Sequence, residues 1–202
     1  VARAARRALG LDYVWLVPAR LPPHRRLPQA SAAHRFAMTA LAVAGESGLI
    51  VSDLDMDAAG PSYTAGTLDR LAARGADLAS VFFVTGADAF RDIPTWKDYP
   101  DLLTRCHFVV VSRPHTPAPA LRALLPALAP RMIEVAADGP VGALPAEPGI
   151  FLVDAPTSPV SSTDVRRAVR TGTSIGAMVP ACVARHIHQH GLYTSPVDSG
   201  SS

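Results

Sequence analysis

Residues 81–88 read Val81-Phe-Phe-Val-Thr-Gly-Ala-Asp88, four β-forming apolar residues that run straight into a glycine turn. A short apolar run with no polar alternation is what a parallel strand covered on both faces requires. Gly86, directly behind it, lets a ligand approach the backbone closely. Working outward, similar runs stand at Tyr13–Val17, Leu49–Ser52, Phe108–Val111, Met132–Val135 and Ile150–Val153. The first of these is expected to be a buried parallel strand. Between the runs lie segments with helical composition and recognisable ends: Ala2–Leu9 before Gly10, Ser31 as a cap for a helix through Ala44, and Tyr63–Arg74 before Gly75. Ser162–Arg170 and Pro180–His190, the latter stopped by Gly191, complete the set. Ile93–Tyr99 reads as a loop or short helical turn, and the Pro- and Ala-rich residues 114–130 as one irregular helix. Strands alternating with helices predict a doubly wound, mostly parallel α/β sheet with flanking helices.

The chain has 202 residues, a size that suits one domain, and neither a repeat nor a linker divides it. Hydrophobic residues make up 49% and charged residues 18%, enough apolar material for a sizeable core. Nineteen basic residues against 17 acidic ones give a net charge of +2, which excludes a broad electrostatic footprint for nucleic acid and leaves only a local basic patch open. No apolar stretch approaches the ~18 residues of a membrane helix, so a soluble protein with no membrane partner is expected. Cys106 and Cys182 read as free thiols of a reducing, cytoplasmic compartment, and no secretory signal opens the chain. Val1 in place of an initiator Met suggests a trimmed chain or a start further upstream. Residues 1–193 are expected to form the domain, and 194–202 a disordered tail.

Ligands of open α/β sheets bind beyond the carboxyl ends of the strands, and three segments there carry polar anchors. In Leu21-Pro-Pro-His-Arg-Arg26 the prolines stiffen a loop from which His24 and Arg25 could grip a phosphate; a stiff loop with solvated charges fits the same letters. In Val160-Ser-Ser-Thr-Asp-Val-Arg166, Ser162 and Thr163 open a helix whose free N–H groups attract anions, and Arg166 follows one turn later. An ordinary cap with a surface arginine is the plainer account. In the third segment Gly86 allows close approach, Asp88 could accept from a ribose or base, and Trp96 could stack on a flat ring. There, Gly86 as a turn, Asp88 as a cap and Trp96 as core compete.

Other patterns fall to simpler readings. His186, His188 and His190 resemble a metal tract, but only one (i, i+4) pair shares a face, and a solvated helix face is favoured; no metal ligand is assigned. Asp53, Asp55 and Asp57 alternate without the Gly and distal Glu of a calcium loop. Neither a P-loop nor a Gly-x-Ser-x-Gly motif is present.

Taken in order, Pro22-Pro-His-Arg25, Pro61-Ser-Tyr-Thr64, Phe83-Val-Thr-Gly-Ala-Asp88, Pro94-Thr-Trp96, Val160-Ser-Ser-Thr-Asp-Val-Arg166 and Gly191-Leu-Tyr193 resemble the bacterial nicotinate-nucleotide adenylyltransferases. These belong to the nucleotidyltransferase α/β-phosphodiesterase superfamily. The resemblance implies a Rossmann-like fold and a cytoplasmic enzyme of NAD biosynthesis. Its reaction joins ATP and nicotinate mononucleotide into deamido-NAD and pyrophosphate, with Mg²⁺. It further implies that His24, Arg25 and Arg166 act catalytically on phosphate. Gly86, Asp88, Ser162, Thr163 and Arg166 would hold ATP, and Tyr63, Thr64 and Trp96 would form the nicotinate mononucleotide side. A homo-oligomer is compatible with the pattern. The family's opening strand, its Gly-Gly-x-Phe-Asp-Pro loop and its His-x-Gly-His motif have no counterpart among these residues, so the sheet is expected to lack its first strand. A non-catalytic nucleotide-binding remnant stays open, as do nicotinamide mononucleotide and phosphopantetheine as acceptors.

Overall fold

The computed structural model describes residues 1–23, 28–136 and 145–194. In chain order its elements are α1 (Ala2–Leu9), β1 (Val14–Leu16), α2 (Ala32–Val43), β2 (Leu49–Val51), α3 (Thr64–Ala73), β3 (Phe82–Gly86) and α4 (Ala87–Phe90). Then follow β4 (His107–Val111), α5 (Leu121–Leu124), β5 (Met132–Val135), β6 (Ile150–Val153), α6 (Ser162–Arg170) and α7 (Ala181–Gln189). Every strand pairing is parallel, in the order β1-β2 for one sheet and β3-β4-β6-β5 for the other. This is the Rossmann-like α/β arrangement that the alternating pattern predicts.

The larger sheet shows why its strands are unbroken apolar runs. All residues of β4 and β6 are buried. Phe108, Val110, Ile150 and Leu152 point to one side, against Phe90, Leu102 and Leu121. Val109, Val111 and Val153 point to the other, beneath Ala5 and Ala8 of α1. Small residues on α1 bring that helix close to the sheet. A third cluster joins α6 and α7 through Val165, Ala168, Val183 and Ile187, and Met38 and Leu41 of α2 pack on it.

Two expectations need correction. The Tyr13–Val17 run is not buried throughout: β1 keeps only Val14 inside, while Tyr13 is 64% and Trp15 49% exposed. Among the described residues its sole pairing is with β2, in a sheet of two strands, so apolar composition alone did not guarantee cover. Residues 114–130 hold no single helix. Leu121–Leu124 makes one α-turn between two 3₁₀ segments, Ala118–Ala120 and Pro126–Arg131, because Pro119, Pro126 and Pro130 cannot donate to a continuing helical ladder. The stretch beyond Thr194, where the tail was expected, lies outside the described residues. No helix of the described residues is long and apolar enough to cross a membrane.

Candidate active site

The selected segments follow the carboxyl ends of β1, β2, β3 and β6. Behind β1 and β2 two loops are sewn together. The Arg20 amide donates to Ser62 Oγ at 3.0 Å, the Arg20 guanidinium to the Ala58 carbonyl at 2.7 Å, and the Ser62 amide to the Leu21 carbonyl at 2.8 Å. The chain leading to Pro22 and Pro23 therefore runs beside Ser62 and Tyr63. His24 and Arg25 themselves lie outside the described residues. Arg35 braces both shoulders of that loop, donating to the carbonyls of Ala19, of Arg20 at 2.8 Å and of Ala30 at 3.4 Å.

Tyr63 is the residue before α3, and Thr64 opens the helix. Lys97 sits 5.6 Å above the Tyr63 ring, so the Pro61–Thr64 and Pro94–Trp96 segments meet. Trp96 is half-buried and packs edge-on against Phe83, 6.0 Å between centroids at 85°. It joins the edge of the core cluster on that side of the sheet. Its packing on the core fits the plainer of the two readings, and part of it remains exposed.

Gly86 ends β3, and the groups that crowd it are side chains of this chain. A side-chain carbon there would lie 2.5 Å from Asp88 Oδ1 and 2.9 Å from Arg113 Cγ. Asp88 accepts from the Ala89 amide at 3.0 Å, and its Oδ2 lies 4.0 Å from Arg113 Nε. Arg113 just past β4 thus belongs with Gly86 and Asp88, a partnership no local motif announced. Beside it, Ser112 donates to Asp154 Oδ1 at 2.6 Å, and Thr157 donates to the Ser112 carbonyl at 3.0 Å. These bonds fold the loop after β6 over the end of β4.

That loop delivers α6. Its cap is Ser161, one residue before the expected start: Ser161 Oγ accepts from the Asp164 amide at 3.1 Å while the Asp164 carboxylate accepts from the Ser161 amide at 3.2 Å. This reciprocal box holds the Asp164 carboxyl below its usual range, chiefly through the Ser161 hydroxyl. With Ser161 capping, Ser162 and Thr163 are left exposed, and Arg166 donates to Thr163 Oγ1 at 3.1 Å. Arg166 and Ser162 line a hollow of about 280 Å³ with Met38, Val183 and Tyr193. Burial raises the Tyr193 hydroxyl pKa, opposed by the positive charges of Arg166 and Arg35. The closing Gly191-Leu-Tyr193 motif therefore sits beside Arg166. A larger hollow of about 670 Å³, lined by Arg3, Arg6 and Tyr13 among others, reaches Gly48 and Leu49, at the amino ends of β1 and β2. That is the end of a parallel sheet away from which ligands bind.

Comparison with known proteins settles the family. The cytidylyltransferase-like family model matches residues 1–168. A Pseudomonas fluorescens protein named "probable nicotinate-nucleotide adenylyltransferase" is 38% identical over 191 residues, covering 94% of this chain and 86% of its own. The chain belongs to the nicotinate-nucleotide adenylyltransferases of the cytidylyltransferase-like family. A Roseiflexus protein of the same name is 37% identical over 200 residues, 96% of this chain and 88% of its own. Among solved structures, the Plasmodium falciparum nicotinic acid mononucleotide adenylyltransferase complexed with NaAD superimposes with a TM-score of 0.66 at 16% identity, over 91% of this chain and 83% of that one. At that identity the likeness speaks for the fold. As nucleotidyltransferases, these enzymes need charge stabilisers and positioning groups more than a nucleophile, and the site offers arginines, hydroxyls and a helix N-terminus.

Proposed function

We propose that this chain transfers AMP from ATP to nicotinate mononucleotide, releasing pyrophosphate and forming deamido-NAD. The reading is carried by 38% identity extending across 94% of the chain. Arg113 beside Asp88, and Arg166 in the first turns of α6, each stand beyond the carboxyl end of a strand, which supports it. In this reaction an oxygen of the mononucleotide phosphate attacks the α-phosphorus of ATP. The new P–O bond replaces the bond to the β-phosphate bridging oxygen, and pyrophosphate leaves with that electron pair. No covalent enzyme intermediate is needed.

The roles follow from placement. Ser162, Thr163 and the exposed first amides of α6 would cradle phosphate oxygens, with Arg166 neutralising charge as it spreads onto the leaving group. Gly86 and Asp88 would take the adenosine side, with Arg113 holding Asp88 in place. Tyr63, Thr64 and Trp96 would frame the nicotinate ring. His24 and Arg25, on the loop that begins beside Tyr63, would act on phosphate. Asp88 after β3 and Asp154 after β6 carry oxygen donors of the kind a hard cation such as Mg²⁺ takes. That ion keeps several waters and binds mainly through substrate phosphates, so a sparse protein contribution fits it. When bound, Mg²⁺ would neutralise charge on the triphosphate.

The decisive measurement is product formation from ATP and Mg²⁺ with nicotinate mononucleotide, nicotinamide mononucleotide or phosphopantetheine, resolved by chromatography. Deamido-NAD should form fastest. A preference for either other acceptor, or nucleotide binding without any product, would overturn the assignment.

A further inference from the structure

Helices α2 and α7 run antiparallel and bring three imidazoles together. His34, in the first turn of α2, lies with its Nδ1 3.1 Å from His186 Nε2 on α7. His190, one turn further along and capping α7, has its ring centroid 4.4 Å from that of His186 and 4.8 Å from that of His34. One ligating nitrogen from each ring can be chosen so that all three lie within 4.8 Å of one another. At the other end of the same contact, the Cys182 thiol donates to the Leu41 carbonyl at 3.3 Å, which fixes the pairing of the two helices.

We propose that His34, His186 and His190 form a binding site for a borderline-soft divalent cation such as Zn²⁺, which clasps α7 onto α2. Tetrahedral coordination at Zn–N distances of about 2.0–2.1 Å places ligand nitrogens roughly 3.4 Å apart. The His34–His186 pair stands at 3.1 Å, near that spacing, and the exposed His190 is the ring that would have to rotate to bring in the third nitrogen. Imidazole nitrogens with no carboxylate among them select Zn²⁺, Ni²⁺ or Cu²⁺ over Mg²⁺ or Ca²⁺. This separates the site from the oxygen-lined active site. His190 lies three residues before Tyr193, so the clasp holds the segment that lines the Arg166 hollow. Three protein ligands leave at least one coordination position for water. The sequence pattern predicted a solvated helix face because the third ligand comes from 152 positions away.

The test uses the full chain stripped with chelator, then titrated with ZnCl₂ and followed by calorimetry and by thermal midpoint. One zinc per chain is expected, with a zinc-dependent rise in midpoint. His34→Ala and His190→Ala should each weaken binding at least about tenfold and abolish most of that rise, the scale of disturbing a metal's ligand environment. His188→Ala, on the neighbouring exposed face, should bind as the unaltered chain does. Cobalt substitution should give visible d–d absorption of a four-coordinate nitrogen site, lost in the same two variants. No binding at 100 equivalents of zinc overturns the proposal. So does zinc binding that His34→Ala and His190→Ala leave intact.

Discussion

Arg166 and Arg167 are adjacent in sequence yet make different contacts, so the pair tests the proposed phosphate clamp. Arg166 is half-buried beside Thr163 and Tyr193, while Arg167 is exposed and pairs with Asp164 at 2.7 Å. Arg166→Ala should lower kcat/KM for ATP by roughly 10²–10³-fold, the cost of removing one preorganised charge stabiliser. Arg166→Lys should recover only part, since an ammonium lacks the bidentate fork. Arg167→Ala should leave steady-state kinetics unchanged, and equal losses in both variants would refute the clamp. A second test concerns the thiols. Burial pushes the Cys106 thiol up to about 11, whereas Cys182 is exposed. A native chain at pH 8 should therefore release one equivalent of thiol quickly to a disulfide reagent, and the second only on unfolding. Above pH 9 the unfolded chain loses the Cys106 proton while the folded one keeps it, so stability should decline from there towards pH 11. The helix opening was the readable part of the candidate site: Ser161-Ser-Thr163 caps and begins α6, as those letters imply. Arg113 and Arg35 were not readable, because each acts through a partner remote in sequence and neither sits in a motif.

At the scale of single elements, two anchoring contacts carry tests. Arg35 on α2 donates to three carbonyls on the two sides of the loop that bears His24 and Arg25. Arg35→Met keeps the length and apolar stem but removes the donors. The carbonyls of Ala19 and Arg20 can turn to water while that of the buried Ala30 loses a partner, so folding stability should fall by about 1–3 kcal/mol. Turnover should fall by roughly tenfold to a hundredfold, because a loop displaced by an ångström misaligns its reacting groups. A loss confined to the melting temperature would make Arg35 merely structural. His107 opens β4, nearly buried, stacked on Phe82 at 4.8 Å, with its Nδ1 accepting from the Gly149 amide at 2.9 Å. Burial lowers its pKa below the ordinary 6.5. Below pH 6.5 the unfolded chain takes up a proton that the folded chain refuses, so stability should drop as pH falls through that value. His107→Gln can keep the amide contact without titrating, and urea midpoints between pH 7.5 and 5.5 should shift less for it than for the parent. Helix and strand positions were legible because periodicity and caps are local. The 114–130 stretch was not, because alanine-rich composition favours a helix that three prolines forbid.

Across the whole molecule, parallel strands give two bodies of unequal support. β4 and β6 are paired on both edges or covered on both faces, and their side chains fill two core clusters. β1 and β2 pair only with each other among the described strands, over three residues, and leave Trp15 49% and Ile50 41% exposed. Apolar letters alone made Tyr13–Val17 and Phe108–Val111 look alike. What distinguishes them is how many neighbours cover them, a property of the assembled sheet that no short window contains. Local opening free energies follow cover rather than composition, since opening a strand exposes whatever it buried. A two-stranded pair is marginal without a packed face, and here α2 supplies that face from one side. Amide hydrogen exchange on the native chain should therefore be slowest at Phe108–Val111 and Ile150–Val153. The ladder amides of β1 and β2, among them Val14, which donates to Gly48 at 2.8 Å, should exchange at least about tenfold faster, equivalent to an opening cheaper by roughly 1.4 kcal/mol. Adding nicotinate mononucleotide should protect the β1 and β2 amides more than those of β4, because the loops that leave these two strands carry the proposed mononucleotide side and gain most from that ligand. Equal protection across both sheets would show that the two-stranded unit opens only when the whole chain unfolds.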